Sequence, residues 1–225
     1  MKKVFLNAML VAFIGFTTVS CKNEAKNETK ANDAEEVVEA TEEAQTFMID
    51  AANSKIDWVG SKPSENHTGT LMVKEGKFST MGEDLESGTV VIDMTSITVT
   101  DLEGDQKASL EGHLKGTAEG KEDHFFNVEK HPEATFEITK VMEKDGKNWL
   151  SGNLTLKGTS KNVQIPVNYS MNDDQSILKI ESEPFTIDRT DWNVNYGSKS
   201  VFDDLKDKFV NDDIEITFML QAKKA

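Results

Sequence analysis

From Phe47 onward the sequence alternates apolar and polar residues with a period of two, in run after run, and this restricts its fold more than any other feature. Ile56 and Trp58 share a parity, as do Leu71 and Val73, then Val90, Ile92 and Met94, then Phe136 and Ile138, then Leu154 and Leu156. Val163, Ile165 and Val167 repeat the pattern, followed by Leu178 with Ile180 and Phe185 with Ile187. The last run sets Ile214, Ile216, Phe218 and Leu220 on one face and Glu215 and Thr217 on the other. Successive strand residues point to opposite faces, so these runs predict strands with one dry face and one wet face. Glu75-Gly76, Asp145-Gly146 and Asn172-Asp173-Asp174 supply turn signals between them. Long helical patterns are missing, which argues against parallel βαβ architecture. Two short helices are expected. One covers 105–115, where Ala108, Leu110, His113 and Leu114 fall near helical spacing; the other covers 200–206, with Val201, Phe202 and Leu205. The fold class is all-β, with about eight antiparallel strands closing as a barrel or stacking as a sandwich, and periodicity alone does not choose.

The N-terminus reads differently. Lys2 and Lys3 precede an apolar stretch from Val4 to Phe16, the pattern of a secretion signal over residues 1–20. That stretch is shorter than the roughly twenty apolar residues a membrane-spanning helix needs. The only cysteine, Cys21, follows directly, so no internal disulfide can form. A lone cysteine after Val19-Ser20 resembles the lipobox of bacterial lipoproteins, which implies lipid attachment at Cys21 and a membrane anchor. Several acyl chains on one residue hold a protein stably to a bilayer. Residues 21–46 are then a tether. Lys22 to Thr46 has three Lys against eight acids and no Gly, Pro or aromatic residue, so it is expected to lack fixed structure, with transient helix at most over Ala34 to Ala44. The folded domain is placed at 47–225.

Charge and motif content exclude several function classes. A formal net charge of −15 argues against nucleic-acid binding, which needs a cationic face. His113, His124 and His131 invite a zinc reading, but their spacings match no paired-ligand pattern and no cysteine joins them, so no metal or other cofactor is expected. Asp101, Glu103 and Asp105 lack the complete twelve-residue calcium-loop pattern and read as an exposed connection. The sequence carries no nucleophile elbow, no phosphate-binding loop and no dinucleotide fingerprint. Asp173-Asp174, Asp203-Asp204 and Asp212-Asp213 read as solvated turns, and no catalytic residue is assigned. Arg189 is the only arginine, so a structural role for its planar fork is expected, as a bidentate pair with a carboxylate at the barrel end, with Asp191 on its own face and Asp188 adjacent; the rival reading is contact with an anionic ligand head group.

Four segments in order resemble the YceI-like family of bacterial lipid-binding proteins. Phe47-Met48-Ile49-Asp50 with Ser54 to Trp58 is similar to that family's first strand pair. His113-Leu114-Lys115 followed by Asp123 to Pro132 is similar to its segment reading HLK and then DFFDVEKYP. Gly152 to Gly158 with Val163 resembles its GxLTIxG hairpin, and Phe185 to Trp192 its late strand. Three departures stand out: an insertion over Gly116 to Glu122, Asn127 where Asp is usual, and His131 where an aromatic is usual.

The resemblance implies an extended lipocalin-like barrel that holds a long isoprenoid or other apolar lipid. The inward parity then assigns Trp58, Leu71, Val73, Val90, Ile92, Phe136, Ile138, Leu154, Leu156, Ile180, Ile216 and Phe218 to the ligand, and the resemblance places Phe125 and Phe126 beside the same space. The expected function is non-enzymatic binding, transport or sequestration of that lipid at the cell envelope, at the outer membrane. The alternative is a structural or interaction lipoprotein whose barrel is filled by its own side chains.

Overall fold

The computed structural model describes residues 27–225. The signal segment and Cys21 lie outside the described residues. The strands are β1 (Asn32–Asp33), β2 (Gln45–Ile49), β3 (Lys55–Lys62), β4 (Glu65–Met81), β5 (Asp84–Val99), β6 (Glu133–Lys144), β7 (Lys147–Leu156), β8 (Thr159–Met171), β9 (Ile177–Ser182), β10 (Phe185–Asp188) and β11 (Asp213–Lys224); one helix, α1 (Gly104–Lys115), joins β5 to β6.

Antiparallel pairing runs β4-β5-β6-β7-β8-β9-β11-β3 and back to β4, so the sheet closes into a barrel of eight positions. Two positions are shared by broken strands. β3 pairs the first half of β4, and β2 continues that position along Lys77 to Thr80. In the same way β9 pairs the far half of β11 and β10 its near half. The two longest strands, β4 with 17 residues and β5 with 16, make the barrel tall. Closure around the eight positions, interrupted toward one end between β8 and β10, leaves no long apolar edge exposed among the described residues.

Local sequence explains the connections. Asp145-Gly146 and Lys157-Gly158 both have positive φ at their two residues, as a tight two-residue hairpin requires, and they turn β6 into β7 and β7 into β8. Helix α1 ends at Gly116 in the left-handed conformation, and its Glu111 carboxylate accepts from the backbone N–H of Val99, docking the helix on β5.

Three expectations are corrected. Glu75-Gly76 is not a turn; it lies inside β4 next to a register shift, where the long strand bends and Gly76 lets the Ile49 side chain approach. No helix forms over 200–206. Turns, a bend and irregular backbone occur there, and positive φ at Asp204 and Lys206 breaks any helical path. The tether is not free from Asn27 onward. Thr29 N–H donates to Thr186 O at 2.9 Å, β1 pairs antiparallel with β8, and Glu35 and the Asn153 amide bond each other in both directions at 3.0 and 2.7 Å. Further along, Val38 N–H donates to Ile138 O, and Thr41 donates to the Glu86 carboxylate. The composition reading failed because this segment borrows its partners from the barrel. Its acids face solvent while its backbone and two small residues, Thr29 and Ala31, face the wall.

Candidate functional site

The barrel interior is divided. One end is solid: Phe47, Ile138, Val167, Leu178 and Ile180 are almost completely buried and fill it, and Phe78 borders the cavity. The other end holds an apolar cavity of about 580 Å³, within the range of pockets for small ligands. Strand parity sets its wall. β3 contributes Ile56 and Trp58, β4 Leu71, β5 Val90, Ile92, Met94 and Ile97, β6 Phe136, β7 Leu154 and Leu156, β8 Ile165, β10 Phe185 and Ile187, and β11 Ile214, Ile216 and Phe218. Phe125 and Phe126 reach it from the loop after α1, as the resemblance implied.

Three of the residues assigned to the ligand from sequence do not line the cavity. Val73, Ile138 and Ile180 have the inward parity but belong to the packed core. Parity fixes the face a residue points to and not whether its neighbours cover it: Ile92 and Leu220, the cross-strand partners of Val73 and Ile180, do line the cavity. Ile138 stands beside Phe78, which packs on Gly88 so closely that a Cβ there would lie 2.3 Å from the ring. Of the lining residues not assigned from sequence, Ile56, Met94, Phe185, Ile187 and Ile214 carried the same alternation signal. Tyr196, Leu110, His113 and Phe209 carried none, because loops and a helix bring them to the site through tertiary contacts.

Beside the mouth, three elements meet in an aromatic cluster. His113 Nε2 of α1 and His124 Nδ1 are 2.8 Å apart and share one hydrogen bond. The His124 ring stacks on Tyr196 at 4.3 Å, and His113 packs edge-on to both Tyr196 and Phe125. Burial, then the Lys121 charge, then His124, hold His113 below the ordinary histidine range, so the neutral ring is favoured. His131 stands apart from this pair, against Gly158.

Arg189 also borders the cavity, and its fork does not make the expected pair with Asp191 or Asp188. It donates to the backbone carbonyls of Val194, Val210 and Asn211, and more weakly to the Asp212 carboxylate at 3.4 Å. Asp188 instead caps the turn by accepting from Thr190, and burial beside Asp188 raises the Asp191 carboxyl above its usual range. Only 1% of Arg189 is exposed, and the Phe125 ring covers it at 5.8 Å. One buried guanidinium thus ties the chain around 194 to the chain around 210, two loops that border the mouth.

The polar rim of the mouth carries Ser61, Lys62, Ser64, His67, Asp207, Lys208 and Asn211, with His67 held by Asp101 at 2.9 Å and Asn211 by Ser61 at 2.7 Å. The site is therefore an apolar shaft with a polar rim. It can take a long apolar chain and leave one polar end near solvent.

Comparison with known proteins agrees with this architecture. The UPF0312 protein of Vibrio campbellii is 31% identical over 140 residues, 56% of this chain and 67% of that protein. The UPF0312 protein of Vibrio parahaemolyticus is 31% identical over 133 residues, 53% of this chain and 64% of that one. Two solved structures share the fold. A polyisoprenoid binding domain from Saccharophagus degradans implicated in plant cell wall breakdown superposes with a TM-score of 0.59 at 18% identity, covering 80% of this chain and 99% of that one. BcnA of Burkholderia cenocepacia superposes with a TM-score of 0.55 at 22% identity, covering 78% and 99%. The YceI-like domain profile matches residues 47–222. With the closed eight-position barrel and the four sequence segments in order, that match is decisive: the chain belongs to the YceI-like family.

Proposed function

We propose that the protein binds a long apolar lipid, of isoprenoid or comparable chain chemistry, in the barrel shaft and carries or sequesters it at the cell envelope without chemical turnover. The observation that carries this reading is the cavity of about 580 Å³, whose wall inside the polar rim is apolar on every strand that reaches it. The cavity also counts against the alternative of a barrel filled by its own side chains. The polyisoprenoid binding domain of Saccharophagus degradans has the same fold, which supports the choice of ligand class.

Magnitudes suffice without a catalytic or metal group. Each buried methylene contributes about 0.8 kcal/mol, so a five-carbon unit brings roughly 3–4 kcal/mol gross. Association and ordering cost about 4–15 kcal/mol. About four to six units therefore reach micromolar affinity, which needs about −8 kcal/mol. Mass spectrometry of an organic extract from freshly purified protein should find such a lipid at stoichiometric amounts. Affinity for added chains should rise with length and then level off. An empty extract and no length dependence would remove this reading and favour the structural or interaction lipoprotein.

The envelope location rests on Cys21 as the lipid attachment point. Cys21→Ser should move the protein from the membrane fraction to the soluble periplasmic fraction or leave the signal uncut. If the variant stays with membranes as before, the anchor is not Cys21.

A further inference from the structure

The barrel wall is not closed by barrel strands all the way to the mouth. β8 pairs with β9 only along Val167 to Met171. Past Ser182 the chain bends through Glu183-Pro184 into β10, and among the described residues no ladder joins β10 to the Thr159–Gln164 stretch of β8. The gap lies over the cavity, because Ile165 on one side and Phe185 and Ile187 on the other line it.

The N-terminal segment fills this gap. Glu28 forms a parallel bridge with Thr186, and Thr29 N–H donates to Thr186 O. Across the gap, Gln164 N–H donates to Thr29 Oγ1 at 2.9 Å, and Asn32 and Asp33 pair with Asn162 and Lys161 of β8. Inward and outward residues alternate as in a strand: Thr29 is buried and Ala31 half-buried, while Glu28 and Lys30 are exposed. Residues 34–41 then cross the outside of β7 and β6. Thr139, Ser151, Asn153 and Asn162 have outward parity there yet are buried in a hydrogen-bonded cluster, to which Glu35 is joined through Asn153.

We infer that residues 27–33 form a detachable wall strand, and that the β8–β10 gap beneath it is a lateral portal through which a lipid chain enters and leaves the shaft. The other strands of the cavity wall are held by antiparallel ladders of four or more residue pairs. This piece is held by the two-residue β1–β8 pairing, the bonds of Asn27 and Thr29 to Glu183, Pro184, Gln164 and Thr186, an exposed Asp33–Lys161 ion pair and two small side chains, which puts it at the low end of local stability. It also lies outside residues 47–222, the part matched by the family profile. The inference rests on the lipid-binding reading of the shaft.

The test uses the full chain and two variants. Thr29→Pro removes the N–H that bonds Thr186 and the hydroxyl that bonds Gln164; Asn153→Ala undocks the strap further along. Two quantities are read. One is hydrogen exchange at the amides of Gln164, which donates to Thr29 Oγ1, and of Thr186, which donates to Asn27 O, against Phe218 as an internal reference. The other is stopped-flow association and release of a fluorescent long-chain polyene fatty acid. The expected result in Thr29→Pro is exchange at both seam amides faster by about tenfold or more, the effect of losing one or two hydrogen bonds. Release and uptake of the probe should both accelerate with little change in Kd, while Phe218 exchange is unchanged. Asn153→Ala should act in the same direction. Unchanged seam exchange overturns the portal, and so does faster seam exchange with unaltered probe kinetics. Failure of the unsubstituted protein to take up the probe overturns the lipid-binding reading and the portal with it. That case is told apart because seam exchange is read without ligand.

Discussion

The indole of Trp58 on β3 lies flat against Gly69, its partner on β4, so closely that a Cβ at position 69 would come within 2.3 Å of the ring and 2.2 Å of the Thr98 carbonyl. A glycine is required there because only a bare Cα lets the largest side chain of the shaft lie along the wall instead of across it. Gly69→Ala should push Trp58 into the cavity. The expected cost is about 1–3 kcal/mol, as for other overpacked cores, with a shifted tryptophan emission and weaker uptake of long chains. Unchanged melting temperature and affinity would show that the wall yields instead.

The His113–His124 pair should make the mouth sensitive to acid. Folding holds His113 below the ordinary histidine value, so the folded state favours the neutral ring. The unfolded chain takes up protons first, so this contribution to stability is present above about pH 6.5 and is lost progressively as pH falls below it. One shared proton keeps the hydrogen bond; a second leaves two donors facing each other. His113→Phe should flatten the fall in melting temperature below about pH 6.5, relative to the unsubstituted protein. A fall of the same steepness in the variant would assign the acid sensitivity elsewhere.

Arg189→Lys should destabilise the ligand-free protein. An ammonium reaches fewer of the carbonyls that the fork now serves, and each orphaned buried carbonyl costs roughly 1–3 kcal/mol. For a chain of this size that is a loss of about 2–4 °C in melting temperature per kcal/mol. A constant melting temperature with weakened lipid binding would instead mean that the guanidinium reads a ligand head group.

The division of the barrel into a solid end and a hollow end predicts two unlike outcomes from similar substitutions. Ile138→Ala removes packed core and should cost about 2–5 kcal/mol without moving the preferred chain length of the ligand. Leu154→Phe adds volume inside the shaft and should shift that preference to shorter chains. The measurement is denaturant unfolding beside a chain-length series. A changed length preference in Ile138→Ala would show that the solid end also admits ligand.

Alternation was enough to place the strands, because a soluble sheet with one dry face must repeat every two residues, and to place Trp58, Leu71, Val90, Phe136 and Leu154 on the inner wall. The hairpins at Asp145-Gly146 and Lys157-Gly158 follow from backbone preferences that belong to the residues themselves. Which inward residues are covered by their neighbours is not local information. Val73, Ile138 and Ile180 share the parity of the lining residues and differ from them only in what stands opposite, which is decided by eight strands closing on one another. Arg189 likewise took carbonyls from chain five and about twenty residues away instead of the carboxylates next to it. Residues 27–46 were misread for the same reason. A segment with almost nothing to bury is ordered only when another part of the fold leaves hydrogen-bonding edges unpaired, and the seam between β8 and β10 exists only once the barrel has formed.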